Sequence, residues 1–200
     1  MRYTHVEVGT AILHDLPPEE LRFHWKGGRL CLDFVATVGE RWRRSFERLL
    51  GPEDLARWLV DSGMLQEPPH ITQRQLESGR VLREAINRLA RPGVQPGVGD
   101  RLELNQWAAR RPLAPQLSER GELVWVSQRS LEAAFATIAR DAVDLLTGPL
   151  AGRIRECAAS DCALLFVDSS RPGRRRWCAG EACGNRTRTK AYRQRRKVGE

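Results

Sequence analysis

Along the first third of the chain, apolar side chains recur at helical spacing: Leu30, Phe34 and Val38 mark one face, with Cys31 and Val35 beside them. This pattern predicts a helix over 29–39, starting where Gly27-Gly28 ends the apolar patch Phe23-His24-Trp25. Pro52 at a first helical position, Glu53 and Asp54 in the first turn and Gly63 past the end predict a second helix over 52–62, with Leu55, Trp58 and Leu59 turned inward. Thr72-x-x-Gln75 and Asp100-x-x-Glu103 have the form of capping boxes, in which two side chains satisfy free backbone N–H groups, and so open helices over 73–91 and 101–110. A Pro/Gly loop from Arg91 separates them.

The period then changes. Leu113–Leu117 and Glu122–Ser127 flank Glu119-Arg120-Gly121, and Leu123-Val124-Trp125-Val126 is β-branched and aromatic, so a small hairpin is expected. Ser130 caps a further helix through Leu146, stopped by Thr147-Gly148-Pro149. A short strand is expected over His5–Leu13. Residues 1–150 therefore read as one mainly α domain with a small β-hairpin (α+β), and Gly148-Pro149 to Gly152 as its boundary with a second domain at 151–200.

Composition adds two constraints. With 41% hydrophobic residues the chain can build a real core, and no apolar run approaches the roughly 18 residues of a membrane span. The first residues are too acidic and too short in apolar sequence for a signal peptide, so a cytoplasmic protein without membrane partners is expected. Charge is unevenly placed: residues 1–150 hold 20 basic and 20 acidic side chains, residues 151–200 hold 13 and 5. A one-signed field of this kind steers a polyanion toward the part that carries it; the alternative is a solvated tail.

Four of the five cysteines fall in that basic part, as Cys157-x4-Cys162 and Cys178-x4-Cys183 with fifteen residues between the pairs. Two such turns can each present both sulfurs to one ion, which fits a tetrahedral four-thiolate zinc site. Disulfides are the rival, but a cytosolic chain keeps thiols reduced. With every position filled by thiolate no site remains for water, so Zn2+ would be structural. Residues 153–155 are expected to pair with 163–167, 169–173 to form a loop and 181–197 a helix, which together make a treble-clef-like finger.

The string Arg175-Arg176-Trp177-Cys178 followed by Cys183-Gly184-Asn185-Arg186 resembles the signature of CGNR zinc fingers. Gly28-Arg29-Leu30-Cys31-Leu32-Asp33-Phe34-Val35-Ala36-Thr37-Val38 is similar to the opening motif of the ABATE domain that precedes the finger in that family, which has asparagine where this chain has Ala36. The resemblance covers nearly the whole chain and implies a transcription regulator, sometimes described as stress-induced.

On the last helix, Arg186, Lys190, Arg193 and Lys197 step along one face, with Arg188 and Arg195 opposite. Such a helix has no stripe to bury, so it is either solvated or laid against phosphates. In a major groove its arginines would reach guanine edges, while Arg174, Arg175 and Arg176 contact phosphates on the approach. Asn185 is expected to bond backbone at the zinc turn, and Ala191 and Tyr192 to touch Trp177. One helix reads too few base pairs to find a single site, so a homodimer bound to double-stranded DNA is expected. RNA is the less favoured partner, and a zinc-thiolate redox switch is the alternative from another class.

Cys31 reads as a core cysteine and Asp33 as a buried, hydrogen-bonded carboxylate. Trp25, Trp42, Trp58, Trp107 and Trp125 read as core or near-core. The histidines lack ligand spacing, no catalytic triad or phosphate loop is present, and a non-enzymatic protein is expected. A small-molecule effector has no residue signature. Loss of zinc is expected to disorder 153–197 and leave the helical domain folded.

Overall fold

The computed structural model describes residues 16–127 and 130–198; the strand expected over His5–Leu13 lies outside them. The elements run α1 (Leu30–Val35), β1 (Val38–Gly39), β2 (Phe46–Glu47), α2 (Pro52–Asp61), α3 (Gln73–Ala90), α4 (Val98–Ala108), β3 (Ala114–Leu117), β4 (Leu123–Val126), α5 (Ser130–Thr147), β5 (Ile154–Glu156), β6 (Leu165–Val167) and α6 (Asn185–Val198). The strands form three antiparallel pairs, β1-β2, β3-β4 and β5-β6. The mainly α architecture and the zinc-finger-like cysteine cluster at its end agree with the reading from sequence.

The core is built by α1, α3 and α5, with α2 and α4 packed beside them. Phe34 meets Trp58 at 4.9 Å, and Trp107 meets Phe135 edge-on at 5.0 Å. Gly79 lets α3 approach α5, since a Cβ there would lie 2.7 Å from Cζ of Phe135. At the start of α3 the predicted capping box forms: the Gln75 amide N–H donates to Thr72 Oγ1 and the Thr72 amide N–H to Gln75 Oε1. At α4 it does not. That helix begins one turn earlier, at Val98, because the Gly97 N–H donates to Asp100 Oδ2 at 2.9 Å, which makes Asp100 the third helical residue. Glu103 instead accepts from the Trp107 indole at 2.8 Å.

Helix α1 ends at Val35, four residues short of expectation, because later residues claim its end. Thr37 Oγ1 donates to the Phe34 carbonyl, the Arg48 guanidinium donates to the Ala36 carbonyl at 2.9 Å, and the chain turns into the β1-β2 hairpin, where Val38 faces Glu47 and Gly39 faces Phe46. Buried Arg83 grips Glu47 with two bonds of 2.7 Å and reaches Thr37 Oγ1. At its other end α1 is anchored by Asp141, which accepts from the Cys31 amide and the Arg29 guanidinium at 2.8 Å each; Cys31 is fully buried, as expected.

The β3-β4 hairpin closes through a turn at Ser118–Gly121 with Gly121 at φ 77°, and Ser118 N–H bonds the Glu122 carbonyl. The register pairs Ala114 with Val126, Pro115 with Trp125, Gln116 with Val124 and Leu117 with Leu123. Trp58 and Trp107 are buried and Trp125 packs against the core, but Trp25 and Trp42 lie at the surface. Trp25 stacks on Trp58, and Trp42 carries the Arg91 guanidinium over its ring.

Strand β6 joins the two parts. Successive strand side chains point to opposite faces. Leu165 and Val167, with Ile154 of β5, enter the same buried cluster as the helices. Leu164 and Phe166 enter a second cluster with Cys157, Cys178 and Cys183. The Val167 N–H also donates to the Gly27 carbonyl at 2.9 Å.

Candidate metal centre and nucleic-acid interface

The first cysteine pair sits in a turn that leaves β5 and returns to β6: the Cys157 N–H bonds the Leu164 carbonyl and the Cys162 N–H the Ala159 carbonyl. Of the second pair, Cys178 precedes and Cys183 lies within a short π-turn, Gly180–Gly184, that runs into α6. The Ala158 N–H bonds the Arg176 carbonyl and ties one turn to the other. The four Sγ atoms lie within 4.8 Å of one another, with Cys162 to Cys178 at 3.9 Å and Cys178 to Cys183 at 3.6 Å. Ligands ~2.3 Å from zinc at tetrahedral angles stand ~3.8 Å apart, so the cluster has the dimensions of a zinc-tetrathiolate. None of the four is in a disulfide.

Thiols in such close contact share protons unless a cation offsets their charge. Hydrogen bonds from the Cys162 and Cys178 thiols pull Cys157 down to about 2. The contact with Cys157 pushes Cys162 up to about 12 and Cys178 up as well. Zinc held by these four thiolates would take the place of the shared protons. The metal would hold the two turns and the start of α6 in place of a core.

The loop between the pairs is organised by Asp168. Fully buried, it accepts from the Ser170 hydroxyl at 2.6 Å, the Ser170 N–H at 3.0 Å and the Arg175 N–H at 2.8 Å, and these donors hold its carboxyl below the ordinary range. Arg175, expected at phosphates, is occupied within the finger: its guanidinium donates to the Cys178 carbonyl at 2.7 Å and lies over the Phe166 ring.

The face of α6 that carries Arg186, Lys190 and Arg193 lines a groove along the first cysteine turn, with Ser160 and Asp161 on its far side. Arg186 pairs with Asp161 at 3.0 Å and donates to Cys183 Sγ at 3.4 Å, so it braces the metal site. Lys190 reaches Ser160 Oγ at 3.4 Å. Arg188, on the opposite face, donates to the side chain of Asn185, which was expected to bond backbone. Arg174 and Arg176 are exposed beside the second pair; Lys197 lies within α6. Tyr192, expected against Trp177, is exposed.

A cavity of about 340 Å³ opens between the finger, the β1-β2 hairpin and the segment around His24; no motif announced it. Burial, then the charges of Arg48, Lys26 and Arg186, push the His24 imidazole down to about 4, so it stays neutral. Nearby, half-buried Asp33 accepts from the Gly27 N–H at 2.8 Å, as expected of a bonded carboxylate, and burial pushes it up to about 6.

Residues 28–149 match the ABATE family, described as "Putative stress-induced transcription regulator", and residues 153–196 match the CGNR zinc finger. No curated protein matches the chain.

Proposed function

Because the chain belongs to the ABATE family and carries a CGNR zinc finger after that domain, we propose that it is a zinc-dependent, non-enzymatic transcription regulator that binds double-stranded DNA in the cytoplasm. One observation carries this reading. Over residues 1–150 basic and acidic side chains balance at 20 each, whereas residues 151–200 hold 13 and 5. In the finger Arg174, Arg176, Arg188, Lys190 and Arg193 are exposed and form no ion pair among the described residues. An excess of exposed, unpaired cations in one part of the chain suits phosphates.

A homodimer would bring two fingers to two half-sites. Support comes from apolar side chains left in solvent on α4 (Val98, Leu102) and on the β3-β4 hairpin (Leu117, Leu123). No helix among the described residues is long and apolar enough to cross a membrane.

Selection of fragments from a random duplex library at about 0.15 M salt, where purely electrostatic binding is already weak, tests the reading. A recurrent palindrome supports a dimeric DNA reader. Recovery of no motif, with structured RNA competing better than duplex, overturns it. The double variant Lys190→Ala, Arg193→Ala, on the groove face of α6, should keep its zinc and lower the salt slope of binding by about 2; an unchanged slope would place the phosphates elsewhere.

A further inference from the structure

We infer that the cavity beside the metal centre is the entry by which small hydroperoxides reach Cys162, making this thiolate the first site of oxidation. The inference does not depend on nucleic-acid binding.

Of the four clustered cysteines, Cys157, Cys178 and Cys183 are only 4–5% exposed, whereas Cys162 keeps contact with solvent. The cavity that it lines is also bordered by Cys178 and Cys183 and has room for about ten water molecules. A small peroxide fits; a folded protein or a large disulfide does not. The walls suit the ligand: Val38, Phe46 and Leu164 give an apolar side for an alkyl group, and Arg48 gives donors for oxygen.

Arg48 is the unusual group. Its residue is 4% exposed, it spends its Nε on the Glu20 carbonyl and one terminal nitrogen on the Ala36 carbonyl, and it has no carboxylate partner among the described residues. Arg48 lines the same cavity as Cys162, alongside the carboxylates of Glu19, Glu20, Glu40 and Asp161, and is the group there whose charge would offset negative charge developing on a departing oxygen. Zinc-bound cysteines are deprotonated, and the thiolate is the nucleophile.

In the first step a lone pair of Cys162 Sγ forms a bond to the nearer peroxide oxygen as the O–O bond breaks. Hydroxide or alkoxide leaves and takes a proton from water, and Cys162 becomes a sulfenic acid. In the second, Cys178 Sγ, 3.9 Å away, attacks that sulfur, a disulfide forms and hydroxide departs. Sulfur has lost two electrons to the peroxide. Two of the four ligands are then withdrawn, and the finger loses what fixes the start of α6.

The experiment uses the full zinc-loaded chain, with hydrogen peroxide and tert-butyl hydroperoxide as probes. Zinc release is followed with a chromogenic chelator, and sulfenic acid is trapped with a 1,3-dione and mapped by peptide mass spectrometry. The expected first adduct is on Cys162, followed by a Cys162–Cys178 disulfide in step with zinc loss. Val38→Phe, which fills the cavity without touching a charge, should slow both several-fold at unchanged zinc content. A first adduct on Cys157 or Cys183, or zinc retained until the protein denatures, overturns the inference. Mapping on the unaltered chain decides the matter even if Val38→Phe fails to fold.

Discussion

Removing the zinc, by chelation or by Cys178→Ser, is expected to destabilise the helical domain as well as the finger. Ile154, Leu165 and Val167 of the β5-β6 pair are buried to 5%, 1% and 6% exposure in the same cluster as α1, α3 and α5. Each such side chain contributes about 1.5–3 kcal/mol on burial, so detachment of the pair would forfeit about 4–9 kcal/mol, an upper bound because the unfolded reference already buries part of that surface. A whole domain is stable by about 5–15 kcal/mol. Even half of the loss should lower the helical melting temperature by on the order of 10 °C in a chain of this size. Thermal melts with and without chelator, read by far-ultraviolet circular dichroism and by tryptophan fluorescence, would show this. Trp58 and Trp107 report on the helical core and Trp177 on the finger. The expectation from the sequence boundary is the opposite. If chelation abolishes the finger signal and leaves the helical melt where it was, the shared strand does not couple the two parts, and the reasoning fails.

Two further outcomes follow from local geometry. Gly79→Ala would place a methyl 2.7 Å from the Phe135 ring and should cost about 1–3 kcal/mol in chemical unfolding, with native-like zinc content; a neutral result would mean that α3 and α5 can part freely. Asp33→Asn keeps an oxygen for the Gly27 N–H and removes a carboxyl that burial pushes up to about 6. Because this folded value lies above the ordinary one, the contribution of Asp33 is full below about 4 and is lost as pH rises through about 6. The variant should therefore gain on the parent as pH rises from about 4 to about 6 and keep that gain above it, and a difference independent of pH would refute the assignment.

Where a feature was set by neighbours in sequence, it could be read from sequence. Helices α2, α3 and α5 carry their own stop or start signals and apolar period, and two C-x4-C turns specify a metal by spacing alone. The end of α1 was not legible because Arg48, Arg83 and Glu47 impose it from outside the helix. At α4 the string Asp100-x-x-Glu103 fits two registers, and the bond to Gly97 selects the earlier one. The basic stretch Arg174-Arg175-Arg176 gives no sign that its middle residue turns back onto Cys178 and Phe166. One signal was available and unused: Leu164-Leu165-Phe166-Val167 is apolar without alternation, the mark of a strand covered on both sides, which is how the finger meets the helices.

Pro115 gives the exposed hairpin a handedness of use. The Ser118 to Glu122 bond and the observed register make Pro115 and Trp125 a non-hydrogen-bonded pair, so their outward backbone groups belong to the hairpin's two edges, which pair with no further strand among the described residues. On β3 that position has no N–H to offer, and an incoming strand finds a gap; on β4 the Leu123 and Trp125 positions remain able to pair. Strand addition is thus disfavoured at the β3 edge, where Leu117 keeps an outward N–H and Pro115 has none. Two copies joining β4 to β4 antiparallel, about a two-fold axis, would leave Pro115 on both outer rims, which opposes growth into a filament.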